Sequence, residues 1–125
     1  MTDIATVFDE RACELGEGPL WHPLRKQLFW FDIIGHKLLS RVDGQALEWQ
    51  FRECHSAAGW IDTDTLLIAS ETGLWRFDIG TGHRDLICEL EANNPHTRSN
   101  DGRADPKGGF WIGTMGKRAE AGYGA

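Results

Sequence analysis

The feature that most constrains this chain is a set of short apolar segments that returns about every 40 residues. Leu39-Ser40-Arg41-Val42-Asp43 is answered 35 residues later by Leu74-Trp75-Arg76-Phe77-Asp78. Leu28-Phe29-Trp30-Phe31 is answered by Thr65-Leu66-Leu67-Ile68 and again by Gly109-Phe110-Trp111-Ile112. The segments are rich in aromatic and branched residues and are bounded by turn formers, as at Asp43-Gly44 and Glu71-Thr72-Gly73. That is the grammar of β-strands. No window carries an apolar period of 3.6 over three turns, and the nearest, Asp9 to Leu15, is short. The chain reads as all-β.

Within each unit the order is a small-residue strand, an apolar strand, an Arg-x-Asp strand and a last polar strand, separated by turns. Four strands in about 40 residues make a blade of a β-propeller. A β-sandwich would also supply many short strands, but not the recurring Arg-x-Asp position. The units divide the chain, as one propeller domain, into a lead-in and closing strand over residues 1–14, then blades over 15–53, 54–91 and 92–125, the last incomplete. Propellers close with four to eight blades. About three four-stranded blades therefore call for further polypeptide, or, less simply, for other copies, to complete the ring. Until then Phe110, Trp111 and Ile112 are expected at a bare blade face.

Charge and cysteine usage narrow the partners. Nineteen acidic against thirteen basic side chains give a formal charge of −6, which argues against nucleic acid, because phosphate binding needs clustered Lys and Arg. No apolar run approaches the roughly 20 residues of a membrane span, and Met1 to Glu10 lacks the basic and apolar regions of a secretory signal. Cys13, Cys54 and Cys88 form no CxxC and are odd in number, which fits small thiols of a cytoplasmic protein better than a disulfide framework.

Two segments carry candidate chemistry. In Gly16-Glu17-Gly18-Pro19-Leu20-Trp21 a carboxylate stands between two glycines, where the backbone can turn sharply and present it. A hard cation takes such oxygens; an exposed turn glutamate would look the same. In Thr97-Arg98-Ser99-Asn100-Asp101-Gly102-Arg103, Arg98 and Asn100 are two apart, so in an extended segment both face one side. A guanidinium fork beside an amide suits polyhydroxylated or carboxylated small molecules. Asp101-Gly102 reads as the turn that follows. His22, His36, His55, His83 and His96 form no HxH or HxxxH pair, so a histidine zinc site is not indicated. No nucleophile motif such as GxSxG is present.

Taken together, Gly16 to Trp21, Leu28 to Ile33, Arg98 to Pro106 and Gly109 to Gly116 resemble the gluconolactonase/regucalcin (senescence-marker-protein, luciferin-regenerating-enzyme-like) family, over its N-terminal portion. The resemblance implies a six-bladed propeller with one divalent metal in its central channel and hydrolysis of sugar lactones to aldonic acids. It leaves open whether that metal is calcium, zinc, magnesium, manganese or iron. It further implies that Glu17 is a metal ligand, that Arg98 and Asn100 contact a sugar lactone, and that Asp101-Gly102 is the supporting turn. The family's other two ligands, one also the general base, are expected beyond residue 125, so the chain alone is expected to be inactive. Ile4 to Phe8 resembles the strand that closes the last blade. The alternative is a non-catalytic calcium- or small-ligand-binding propeller.

Overall fold

The computed structural model describes residues 2–125 and holds ten β-strands; no helix among those residues is long and apolar enough to cross a membrane. Strands β1 (Gly16–His22), β2 (Gln27–Asp32), β3 (Lys37–Val42) and β4 (Gln45–Gln50) form an antiparallel meander in sequence order. Strands β5 (His55–Trp60), β6 (Thr65–Ser70), β7 (Gly73–Asp78) and β8 (Arg84–Glu89) form a second meander, and β9 (Thr97–Ala104) pairs with β10 (Phe110–Gly116) in a third sheet. The first strands of the three sheets lie side by side, β1 against β5 and β5 against β9. Each sheet therefore runs outward from a shared axis, and the chain is part of a β-propeller.

The recurring segments take matching places. The apolar run falls on β2, β6 and β10, the second strand of each sheet, and Arg-x-Asp falls on β3 and β7. The hairpin between β3 and β4 is held by Asp43 and Gly44, both at positive φ (49° and 77°), the backbone that a two-residue hairpin of strand-like twist requires. The repeated arginines do not pair with the aspartate two residues on. Arg41 Nε donates to Asp9 at 2.9 Å, and Arg76 lies 3.7 Å from Asp62.

The core lies between the first two blades. Alternation along β2 buries Phe29 and Phe31, which join Leu38, Leu66, Ile68, Phe77 and Ile79 in one cluster. Trp49 and Phe51 close on Phe77 edge-on, with ring centroids 5.9 and 5.8 Å away. Each fully buried Phe, Leu or Ile of this set contributes about 1.5–3 kcal/mol. His55 is also sealed here, stacked on Phe31 and 4.0 Å from the Phe51 ring centroid. Its Nε2 lies 3.0 Å from Arg84 Nη1, and its Nδ1 3.2 Å from Glu53 O. A guanidinium can only donate, so Nε2 accepts and the proton sits on Nδ1, donating to Glu53 O.

Between the second and third blades the packing explains the small residues of β5. A Cβ on Gly59 would lie 3.5 Å from Ala104 and from the Phe110 ring, and one on Gly102 would lie 3.2 Å from Ala57. The two inner strands approach closely because these positions are nearly bare.

Two expectations change. Asp101-Gly102 is not a turn: both residues lie within β9, where the register slips against β10 between Ile112 and Thr114. The bulge falls at Asn100 and Asp101, Gly102 being in register with Ile112, and the hairpin instead turns at Asp105–Gly109, where the Asp105 carboxylate accepts from Lys107 N and Trp111 Nε1. Only Trp111, 73% exposed, is bare; Phe110 is half-buried and packs on Gly59. The three cysteines are free thiols, Cys54 buried, Cys13 half-buried and Cys88 exposed. Ile4 to Phe8, whose expected partner blade lies outside this chain, forms no strand, and Ile4, Val7 and Phe8 are all exposed.

The chain before β1 is nonetheless fixed. The almost fully buried Asp9 carboxylate accepts from Arg11 and Arg41, and Arg11 also donates to Leu47 O and Ser40 O while lying over Trp30. These donors, Arg11 first, hold the Asp9 carboxyl far below the usual carboxylate range.

Candidate functional site

The candidate site is assembled from the starts of the three inner strands. Asp32, at the end of β2, organises the entry to β1: its carboxylate accepts from Glu14 N, Leu15 N and Gly35 N at 3.0–3.2 Å. Burial pushes the Asp32 carboxyl up, but these backbone donors outweigh it and leave it below its ordinary value. Leu15 O then accepts from Ile33 N, and the chain enters β1 one residue before Glu17.

Glu17 is exposed and pairs across the sheet with Phe31, and its carboxylate takes part in no hydrogen bond or ion pair among the described residues. Beside it, Gly18 has φ +64°, and a Cβ there would lie 2.3 Å from Ser56 O and 3.1 Å from the Phe31 ring. Only glycine permits β1 to come this close to β5. Gly18→Ala is therefore expected to destabilise the chain by about 1–3 kcal/mol through overpacking, with added strain from the positive φ. Urea unfolding measures this, and an unchanged midpoint would refute the close approach.

Ser56 carries the contact onward. Its Oγ donates to Ser99 Oγ at 2.7 Å, and Ser99 Oγ reaches Ala69 O at 3.4 Å. Gly18, Ser56 and Ser99 thus stand in a row, with Glu17 adjoining one end and Arg98 and Asn100 flanking the other. Arg98 is 6% exposed, and its Nη1 donates to Ser99 O at 2.9 Å and to Asn100 Oδ1 at 3.3 Å. Its Nε is buried without a partner, and no carboxylate pairs with it among the described residues. Because the amide oxygen of Asn100 faces Arg98, its NH2 is left for another acceptor. The geometry brings Arg98 and Asn100 together, and sets Glu17 across β5 from them with no direct contact.

A second feature at this end was not legible in the sequence. Lys117, just past β10, pairs with Glu71, whose other oxygen accepts from Cys54 N. Lys117 N also donates to His96 O, so the pair bridges the second and third blades beside the start of β9. Burial first, then Glu71, pushes the Cys54 thiol up, while Arg98 and Lys117 act in the opposite sense. Only tertiary structure brings Glu71 to Lys117, so no local pattern announces them.

Toward the ends of the same strands a cavity of about 530 Å³ runs along Pro19 to Trp21, Ala58 to Trp60 and Asp101 to Ala104. Trp21 and Trp60, both part-exposed, are its large side chains. The donor set for a metal is partial: no group of three His, Cys, Asp or Glu side chains converges among the described residues. Glu17 offers one free, hard oxygen donor, which fits a divalent cation only as one member of a larger set.

The family described as the SMP-30/Gluconolactonase/LRE-like region matches residues 15–125. Among curated proteins, an L-arabinolactonase of Azospirillum brasilense is 37% identical over 93% of the chain and 39% of its own length. A 6-deoxy-6-sulfogluconolactonase of Pseudomonas putida is 32% identical over 81% of the chain and 35% of its own length. Among solved structures, a calcium-binding protein, regucalcin, from Agrobacterium tumefaciens superposes with a TM-score of 0.90 at 40% identity, covering 94% of the chain and 40% of that protein. The chain thus spans about two fifths of the length of these relatives.

Proposed function

Because the chain belongs to the SMP-30/gluconolactonase/LRE-like family, we propose that it supplies part of a metal-dependent sugar lactonase, contributing one metal ligand and two substrate-binding side chains. The observation that carries this reading is Arg98: a nearly buried cation with no carboxylate partner and an unused N–H donor. A buried donor without a partner costs about 1–3 kcal/mol, and an oxygen-rich ligand relieves that cost. The names of the relatives support lactone chemistry, and the regucalcin neighbour supports a divalent cation.

Glu17 would hold the cation from the β1 side. When bound, a divalent cation polarises an ester carbonyl and lowers the pKa of a bound water. Arg98 presents guanidinium N–H groups, and Asn100 presents its free NH2, so both offer donors to acceptor oxygens of a lactone or to charge developing on them. Their mutual bond restricts both rotamers before substrate arrives. Asp101, in the bulge with Asn100, and Gly102 beside it support that segment. On this reading the chain, holding one carboxylate of a larger donor set, is inactive alone; the remaining blades of the ring complete the site.

Glu17→Gln keeps the shape and removes the charge. In the ring-complete protein it is expected to weaken divalent-metal affinity at least tenfold, about 1.4 kcal/mol, and to lower lactone hydrolysis in step. Calorimetric metal titration and lactone turnover with and without chelator measure both. Unchanged metal affinity removes Glu17 from the site, and metal binding without turnover of any sugar lactone favours the non-catalytic calcium-binding alternative.

A further inference from the structure

The contact between β5 and β9 is made of bare or small residues, Ala57, Gly59, Gly102 and Ala104, with one exception. At its upper end two hydroxyls meet, Ser56 Oγ donating to Ser99 Oγ at 2.7 Å, and both side chains are essentially free of solvent. No other side-chain hydrogen bond joins β5 to β9 among the described residues. Burying two hydroxyls is unfavourable unless each finds a partner, and alanines would close this contact as they do one step further along. What the hydroxyls add is direction. Apolar packing tolerates a slip of one strand past another, whereas a short hydrogen bond fixes distance and angle. Ser99 Oγ, reaching Ala69 O on β6, ties β9 to two strands of the second blade at once.

The location gives the device a purpose. Ser99 is the residue between Arg98 and Asn100, and the backbone oxygen of Ser56 abuts Gly18, next to Glu17. The row from Glu17 to Arg98 therefore passes through this one hydroxyl pair. We infer that Ser99, with Ser56, is a positioning residue that sets the spacing between the Arg98–Asn100 segment and the Glu17 strand. The inference rests on the lactonase reading above, and it adds residues that act through Arg98 rather than touching substrate.

The test is a double-mutant cycle in the ring-complete protein, with D-glucono-1,5-lactone and L-arabinono-1,4-lactone as substrates and gluconate binding as a readout independent of turnover. Ser99→Ala is expected to lower kcat/KM and gluconate affinity about tenfold while metal stoichiometry stays unchanged, since small misplacements at a reacting centre have effects of this size. In an Arg98→Ala background the same change is expected to lower either quantity less than twofold, because the group it positions is gone. Ser56→Ala leaves the Ser99–Ala69 contact in place and serves where Ser99→Ala does not fold. Equal losses in both backgrounds, or no loss in the first, overturn the inference while leaving the lactonase reading intact. A protein that turns over neither lactone, yet loses gluconate affinity with Ser99→Ala, keeps the positioning role and loses the lactonase reading. A protein that neither hydrolyses lactone nor binds gluconate overturns both.

Discussion

Between pH 6.5 and about pH 4 the chain is expected to lose about 3 kcal/mol of stability through a single side chain, His55. Burial, and then the Arg84 guanidinium, push its pKa down from 6.5 to about 4. The unfolded chain therefore takes up a proton as the pH falls below 6.5, while the native state refuses it until about 4. Stability is fully present above 6.5, declines through that window and levels off below it. At 1.36 kcal/mol per unit, the window corresponds to about 3 kcal/mol. The groups facing His55 are Arg84 from β8, Glu53 from the segment before β5 and His36 from the turn after β2; only Glu53 favours the charged ring. Asp9, whose carboxyl lies far below its ordinary 3.8, adds its own acid dependence only as the pH falls below that value. Urea midpoints at pH 7, 5.5 and 4 measure the decline, and a His55→Gln variant should flatten it. A variant as steep as the parent would place the titration elsewhere.

On the proposed reading, Arg98→Ala is expected to reduce kcat/KM of the ring-complete protein for a sugar lactone by roughly 10- to 150-fold, because a charge-assisted hydrogen bond is worth about 1.5–3 kcal/mol. Bound metal should stay at its parental stoichiometry, since Arg98 carries no atom that ligates a cation. Steady-state kinetics with metal analysis separates the two quantities. Loss of metal in proportion to activity would move Arg98 out of substrate binding and into support of the metal site. Arg98→Lys should recover little, because an ammonium carries all its donors on one nitrogen, whereas Arg98 bonds Ser99 O and Asn100 Oδ1 from Nη1 and holds its unused donor on Nε.

The strands were legible because their signal is local. Phe29 and Phe31 alternate with Leu28 and Trp30 on β2, and a short apolar run with turn residues at its ends recurs at β6 and β10. The Arg98–Asn100 contact was legible for the same reason, as two positions on one side of an extended strand. Asp101-Gly102 misled because an Asp-Gly pair has the same local chemistry in a turn and in a bulge; only pairing against Ile112 and Thr114 separates the two. Ser56 and Ser99 are 43 residues apart, and Glu71 and Lys117 belong to different blades. Nothing near either residue in the chain announces the other, so these contacts exist only once the blades have stacked.

The Asp9 anchor has a consequence for how a ring containing this chain would close. With Asp9 pinned to Arg11 and Arg41, residues 2–8 are joined by a short span of chain to a fixed point on the first blade. Seven residues reach about 25 Å when extended. Ile4, Val7 and Phe8 are therefore confined to a small volume beside that blade, rather than searching the surrounding solution. If Ile4 to Phe8 supplies the closing strand, as proposed from the resemblance, a sheet edge within that volume meets it at an effective concentration of order millimolar, so weak strand pairing suffices for capture. Loosening the anchor would enlarge the searched volume and dilute the segment, slowing closure without altering any contact made once the ring has shut.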